Sequence, residues 1–179
     1  MNKILIVYHS VYGSTKKYAE WIAEELNGEI CDVDNSKQKD PGNYDIIILG
    51  NGLYAGKIKG TNLFTDNYEK LKDKKLAIFT CGLADFNKAE NVNNVYKLFE
   101  KLIPKNILEN IKIFNLRGAI DYKKLNAKHK MMMWMMKKVT EKKGEKMDDD
   151  DKFLLETYGE TIDFMDKNSI KEIIEYCKS

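Results

Sequence analysis

Arginine is almost missing from this sequence. Arg117 is the only one among 30 basic residues, so there is no cluster of guanidinium forks to clamp phosphates or read base edges. The lysines are dispersed and the net charge is only +2, which gives no basic face of the kind a nucleic-acid binder needs. No nucleic-acid partner is expected. Histidine is scarce too: His9 and His129 stand alone, with no carboxylate or cysteine at metal-ligand spacing, so neither a zinc site nor a histidine-based triad is supported. "DVDNS", residues 32–36, lacks the glycine and the terminal glutamate of a calcium loop. No metal is expected.

Three cysteines, Cys31, Cys81 and Cys177, are far apart and odd in number. They make neither a disulfide framework nor a CxxC pair, and a reducing cytoplasm is the expected location. Long apolar runs are also lacking. Ile4 to Tyr8 is too short for the core of a signal peptide, and "MMMWMM" cannot span a bilayer, so the chain is expected to be soluble or at most to sit on a membrane surface.

What is present fits one folded domain of 179 residues, 43% hydrophobic and 32% charged with the charges scattered. Short runs rich in branched aliphatics recur at Ile4–Tyr8, Ile30–Val33, Ile46–Leu49, Leu76–Thr80 and Ile111–Leu116. Most are continuously apolar, as strands buried on both faces are, whereas Ile30–Val33 is broken by Asp32 and suits an edge. Between them lie helical patterns. One runs through Tyr18, Ala19, Ile22, Ala23 and Leu26 and stops at Asn27-Gly28; another uses Val95, Leu98, Phe99 and Leu102 and ends before Pro104. This alternation predicts an α/β fold: a parallel sheet with helices on both faces. Asp34 to Tyr44 reads as a loop with at most a short helical turn. "SIKE", residues 169–172, reads as a capping box opening a last helix through Ile173, Ile174 and Cys177. About fifty residues, roughly 117–165, lie between the fifth strand and that helix, and a minimal five-stranded unit would not need them. Within them "DDDDK", 148–152, reads as a solvated turn and helix start.

The turn "HSVYGST", residues 9–15, joins the first strand to the first helix, which is where doubly wound sheets bind ligands. Ser10, Tyr12, Ser14 and Thr15 offer hydroxyls, Gly13 permits a tight bend, and the helix start presents free N–H groups, so the turn suits a phosphate. A plainer alternative is that Ser14 or Thr15 merely caps the helix. His9 is expected to line or support the turn. "GNGLYAG", 50–56, matches a dinucleotide fingerprint on paper, but "KIKGTN" follows where a helix should open and no acidic residue ends the next strand. The spacing from Gly52 to Gly56-Lys57 is one residue short for a Walker A loop.

"SVYGST" resembles the phosphate loop of flavodoxins, in which [S/T]-x-T-G-x-T binds the ribityl phosphate of FMN. Tyr12 stands where that pattern usually has threonine. The resemblance implies a five-stranded parallel sheet of order 2-1-3-4-5 and FMN across the strand ends. Ser10, Val11, Tyr12, Gly13, Ser14 and Thr15 would then surround the phosphate. Asn51, Gly52, Leu53, Tyr54, Ala55 and Gly56 would lie against the isoalloxazine ring, with Leu53 or Tyr54 stacked on it. Cys81, Gly82, Leu83, Ala84 and Asp85 would flank the ring's other side, Cys81 being read chiefly as a structural thiol. No acid–base residue of the protein is expected to be indispensable, because the flavin performs the redox step.

"KHKMMMWMMKK", residues 128–138, holds five of the eight methionines. An all-round apolar block is expected to bury against this domain or a second copy of the chain, as in a homodimer, or to meet a hydrophobic substrate, a quinone or an anionic membrane surface. With "YGST", "GLYAG", "LRGAIDYKKLN" and this insertion, the whole chain is similar to the flavodoxin-type, menaquinone-dependent protoporphyrinogen dehydrogenase group. That resemblance implies FMN, peripheral membrane association at the inner face of the cell membrane, and oxidation of protoporphyrinogen IX with a quinone acceptor. The alternative is a flavodoxin-type carrier that passes electrons between redox protein partners. Such carriers are typically acidic, and this chain is not.

Overall fold

The computed structural model describes residues 2–54 and 56–179. Five parallel strands, β1 (Ile4–His9), β2 (Glu29–Asp32), β3 (Ile46–Gly52), β4 (Lys75–Gly82) and β5 (Ile111–Arg117), form one sheet in the order β2-β1-β3-β4-β5. The continuous apolar runs are explained by the strand repeat of two, which sends successive side chains to opposite faces. Ile4, Ile6, Ile46, Ile48, Ala77 and Phe79 feed one core; Leu5, Val7, Ile47, Leu49, Leu76 and Ile78 feed the other. The two outermost strands, β2 and β5, are the ones with exposed positions, as the polar break at Asp32 suggests.

Helix α1 (Ser14–Leu26) covers the first face with Tyr18, Ala19 and Ile22, and ends where Asn27 turns left-handed at φ 49°. On the second face lie α2 (Asn62–Thr65), α3 (Tyr68–Leu71), α4 (Ala89–Glu100) and α5 (Lys105–Leu108). Phe64, Leu71 and Phe99 are fully buried there, each contributing about 1.5–3 kcal/mol by leaving water. The Asp34–Tyr44 stretch holds two 3₁₀ turns, Val33–Gln38 and Pro41–Asn43, each started by an aspartate side chain, Asp32 or Asp40, accepting a backbone N–H two residues on.

After β5 the chain leaves the sheet. It makes β6 (Ala119–Asp121), α6 (Ala127–Glu141) and α7 (Asp149–Glu156), then returns through β7 (Thr161–Asp163), which pairs antiparallel with β6. This strand pair is not foreshadowed by any strand-like run. "DDDDK" does open a helix: Asp148 and Asp151 form a reciprocal capping box. The box expected at "SIKE" does not form. A 3₁₀ turn, Lys167–Ile170, comes first, Ser169 Oγ donates back to the Asp166 carbonyl, and α8 (Lys171–Lys178) starts at Ile170 with no side-chain cap. Its Ile173 and Cys177 close the first core beside α1.

The methionine block does not bury as a block. Met133 is 7% exposed and packs with Tyr122 and Leu125 in a small third core, while Met131 (65%), Trp134 (53%), Met135 (56%) and Met136 (46%) remain open. A single helical stripe of contact accounts for this: only one side of α6 meets the domain. No described helix is long and apolar enough to cross a membrane.

Candidate functional site

The three loops singled out in the sequence meet beyond the carboxyl ends of β1, β3 and β4. In the first, Gly13 takes φ 101°, a value that strains any residue with a Cβ, and so bends the chain from strand into helix. Neither Ser14 nor Thr15 caps α1. Gly13 occupies the N-cap and no side chain caps it, so the first-turn N–H groups point to the strand ends without a side-chain acceptor. Ser10 Oγ accepts the Gly13 N–H at 3.1 Å, and Ser14 Oγ accepts the Ala119 N–H at 3.2 Å. Thr15 is fully buried, and its hydroxyl makes no hydrogen bond of normal geometry. Such an unmet group costs about 1–3 kcal/mol, which an anion at the helix start would recover. The residues therefore fit a phosphate.

The second loop departs from expectation. Asn51 is buried, and both ends of its amide are bonded to Lys59: Nδ2 donates to the carbonyl at 2.9 Å and Oδ1 accepts the N–H at 3.0 Å. Asn51 thus closes the loop onto Lys59. Tyr54 folds back across Gly52, where a Cβ would lie 2.3 Å from its ring, and its hydroxyl accepts the N–H groups of Val11 at 3.2 Å and Tyr12 at 3.4 Å. Its hydroxyl thus reaches the first turn, while the residue stays beside Leu53, Gly82 and Leu83 in the wall of a small cavity. Leu53 holds the third loop, its N–H donating to the Cys81 carbonyl. Gly56 is exposed with φ 69°. Ala55 lies outside the described residues.

In the third loop Cys81 is buried beneath the turn, and that burial pushes its thiol up to about 12, with Thr15 beside it drawing it back only in part. It is a structural thiol. Burial, and then the nearby Lys59, lower the pKa of His9 at the end of β1. Among the described residues no group of three His, Cys, Asp or Glu is placed to hold a metal ion.

Two cavities open between these loops and the excursion. A small one, about 110 Å³, has Ser14, Tyr54, Cys81, Gly82 and Gly118 in its wall. A larger one, about 1190 Å³, runs under α6, α7 and the β6–β7 pair, with Ala84, Asp85, Met131, Met135, Phe153 and Phe164 among its lining. Leu53, Leu83, Ile120, Met132 and Met133 belong to both walls. The exposed methionines of α6 are therefore partly the roof of a hollow.

Several of these residues escape a reading by loops alone. Gly118 lets the chain pass over Cys81, a Cβ there falling 2.6 Å from its sulfur. Tyr12, the departure from the threonine pattern, turns its hydroxyl away to His129 Nδ1 at 2.5 Å and accepts the Asn126 N–H at 3.3 Å, fastening the start of α6 to the phosphate turn. His129 in turn stacks on Tyr54, with ring centroids 5.9 Å apart. The "RGAIDY" run carries Arg117, Gly118 and Ile120 and was the available signal for this region.

The flavodoxin-domain sequence profile matches residues 5–147, which takes in all three loops and α6. The chain belongs to the flavodoxin family. The flavodoxin of Maridesulfovibrio salexigens is 35% identical over 98 residues, 48% of this chain and 67% of that protein. The flavodoxin-like domain-containing protein BilS of Clostridioides difficile is 32% identical over 136 residues, 73% and 74% of the two chains. An uncharacterised protein of Methanocaldococcus jannaschii is 38% identical over 82 residues, a match spanning 45% of this chain and only 55% of that protein. Among solved structures, oxidised flavodoxin 2 of Bacillus cereus aligns over 64% of this flavodoxin-family chain and 84% of its own, at 23% identity and a TM-score of 0.42.

Proposed function

We propose that this flavodoxin-family protein binds FMN and serves as an oxidoreductase for an apolar organic substrate of the porphyrinogen or quinone kind. Family membership and the unmet donors of the first turn support FMN. The observation that carries the enzyme reading is the 1190 Å³ hollow, mostly apolar, whose wall includes Leu53 and Leu83 of the two ring loops. A carrier needs only a flavin edge presented to another protein, and has no use for a large apolar hollow beside it.

FMN, when bound, supplies the hydride and electron chemistry. The chain supplies position. The Gly13 bend and the N–H groups of α1 would hold the phosphate, with Thr15 as its hydroxyl partner. Leu53, Gly82 and Leu83 would pack the ring, and α6 with Phe153 and Phe164 would keep water from the reacting face.

A second reading, transfer of electrons between redox proteins, is favoured by the open outer side of α6, where Trp134 stands among lysines. One anaerobic experiment separates the two. FMN-loaded protein is offered protoporphyrinogen with menaquinone, and in parallel a ferredoxin-coupled reductase system. Turnover of the first pair supports the enzyme. Flavin reduction by the second system alone, with no turnover of the first, rejects it.

A further inference from the structure

We propose that the large cavity receives an apolar ligand bearing a carboxylate, and that Arg117 is the residue that takes the acid. The inference rests on the reading of that cavity as a substrate chamber and adds the chemistry of what enters it.

The carboxylates in its wall already have partners. Asp150 accepts from Lys88 at 2.6 Å and Asn91 at 2.9 Å, Asp151 is bound by Lys143 at 2.6 Å, Asp149 faces Lys152 at 3.6 Å, and Asp85 accepts from Asn87. Arg117 has none. Among the described residues no carboxylate comes within ion-pair distance of its guanidinium; one nitrogen, Nη2, donates to the Leu83 carbonyl at 3.1 Å, and the buried Nε has no partner at all. The guanidinium carbon sits over the Phe164 ring, 3.6 Å from its centroid, which holds the group against an apolar wall.

A guanidinium carries five N–H donors, and a partly buried cation is stable in apolar surroundings only when its donors are met. Asp150 senses the charge of Arg117 through space but is committed to Lys88 and Asn91. Lys128, which also lines the cavity and has no ion pair among the described residues, is exposed on the rim. One fixed guanidinium, with Nη1 unpartnered among the described residues and Nη2 keeping a second proton beyond the Leu83 carbonyl, matches one carboxylate, and a bidentate pair of this kind is the strong form of charge-assisted hydrogen bond. A dianionic phosphate would meet the row of aspartates on α7 with its second charge. The surrounding methionine and phenylalanine side chains take the ligand's apolar body.

The test uses two fluorescent probes of one shape, pyrenebutanoic acid and its methyl ester, titrated against the full chain at neutral pH. The acid is expected to bind at least tenfold tighter than the ester. Arg117→Gln should bring the two within about twofold of each other by weakening the acid alone, and Arg117→Lys should restore part of the gap. In the wild-type protein the preference should fade as pH falls through the acid's own pKa, roughly 4 to 5, a readout that needs no variant. Equal affinities in the wild type, failure of both probes to bind, or a preference that survives Arg117→Gln would overturn the assignment. FMN titration of the same samples tests the other reading separately: acid preference without flavin binding would leave Arg117 in its role and remove the flavoenzyme.

Discussion

The Tyr54 hydroxyl accepts hydrogen bonds from the backbone N–H groups of Val11 and Tyr12, 43 and 42 residues earlier in the chain. A phenol from the second loop thus faces donors that a phosphate at the first loop would use. Tyr54 is therefore expected to compete with the cofactor's phosphate for these donors.

Removing only that oxygen should help binding. A hydrogen bond of this kind contributes about 0.5–1.5 kcal/mol net. Tyr54→Phe is therefore expected to tighten FMN binding about two- to tenfold in a fluorescence-quenching titration. Unchanged or weaker binding would show that the hydroxyl does not stand in the phosphate's way.

Thr15 makes the opposite trade. Its buried hydroxyl has only the Cys81 thiol beside it and no hydrogen bond of normal geometry in the ligand-free protein, so Thr15→Val should leave the melting temperature of that form unchanged or raise it. The same change should weaken FMN binding at least threefold. A drop in ligand-free stability with intact flavin affinity would mean that the hydroxyl serves the fold alone.

Gly118 and Cys81 should be coupled. Gly118→Ala places a Cβ 2.6 Å from the Cys81 sulfur and is expected to cost about 1–3 kcal/mol, read as a fall in the urea midpoint. Cys81→Ala removes the obstacle, so the double variant should recover most of that loss rather than add to it. Additive losses would place the strain elsewhere.

Acid should loosen the roof through Asp150. The hydrogen bonds from Asn91 and Lys88 hold its carboxyl below the usual carboxylate range in the folded state and tie α7 to α4. The stabilisation is therefore present above the unfolded value of about 4 and is lost as pH falls through the folded one. Urea midpoints taken from pH 7 downward should decline more steeply in the wild type than in Asp150→Asn. Parallel curves would show that the clasp carries no pH dependence.

The sheet was legible because fully buried strands leave continuous aliphatic runs and the glycine-rich turns fall at their ends. Ile46–Leu49 and Leu76–Thr80 have almost no polar positions to mislead a reader. The excursion was not legible. Ile120 and Ile162 sit in three-residue strands whose pairing depends on residues 42 apart, too short to leave a pattern, and a run of methionines conceals which side of α6 faces inward. In the site, glycines and hydroxyls announced the phosphate turn. The reach of Tyr54, Tyr12 and Asn51 depends on where distant backbone comes to rest, which spacing does not record. At 169–172 a local capping pattern lost to the Asp166 side chain, which accepts the Asn168 N–H and starts the turn three residues early.

The position of α8 bears on how the protein matures. Ile173 and Cys177 seal the sheet face that α1 covers only in part, yet they follow β5 by more than fifty residues. A nascent chain with all five strands already outside the ribosome still leaves Phe114 and Leu116 without their lid until that last helix emerges. Truncation within the excursion would therefore strand a sticky, half-clad intermediate, a natural client for chaperones.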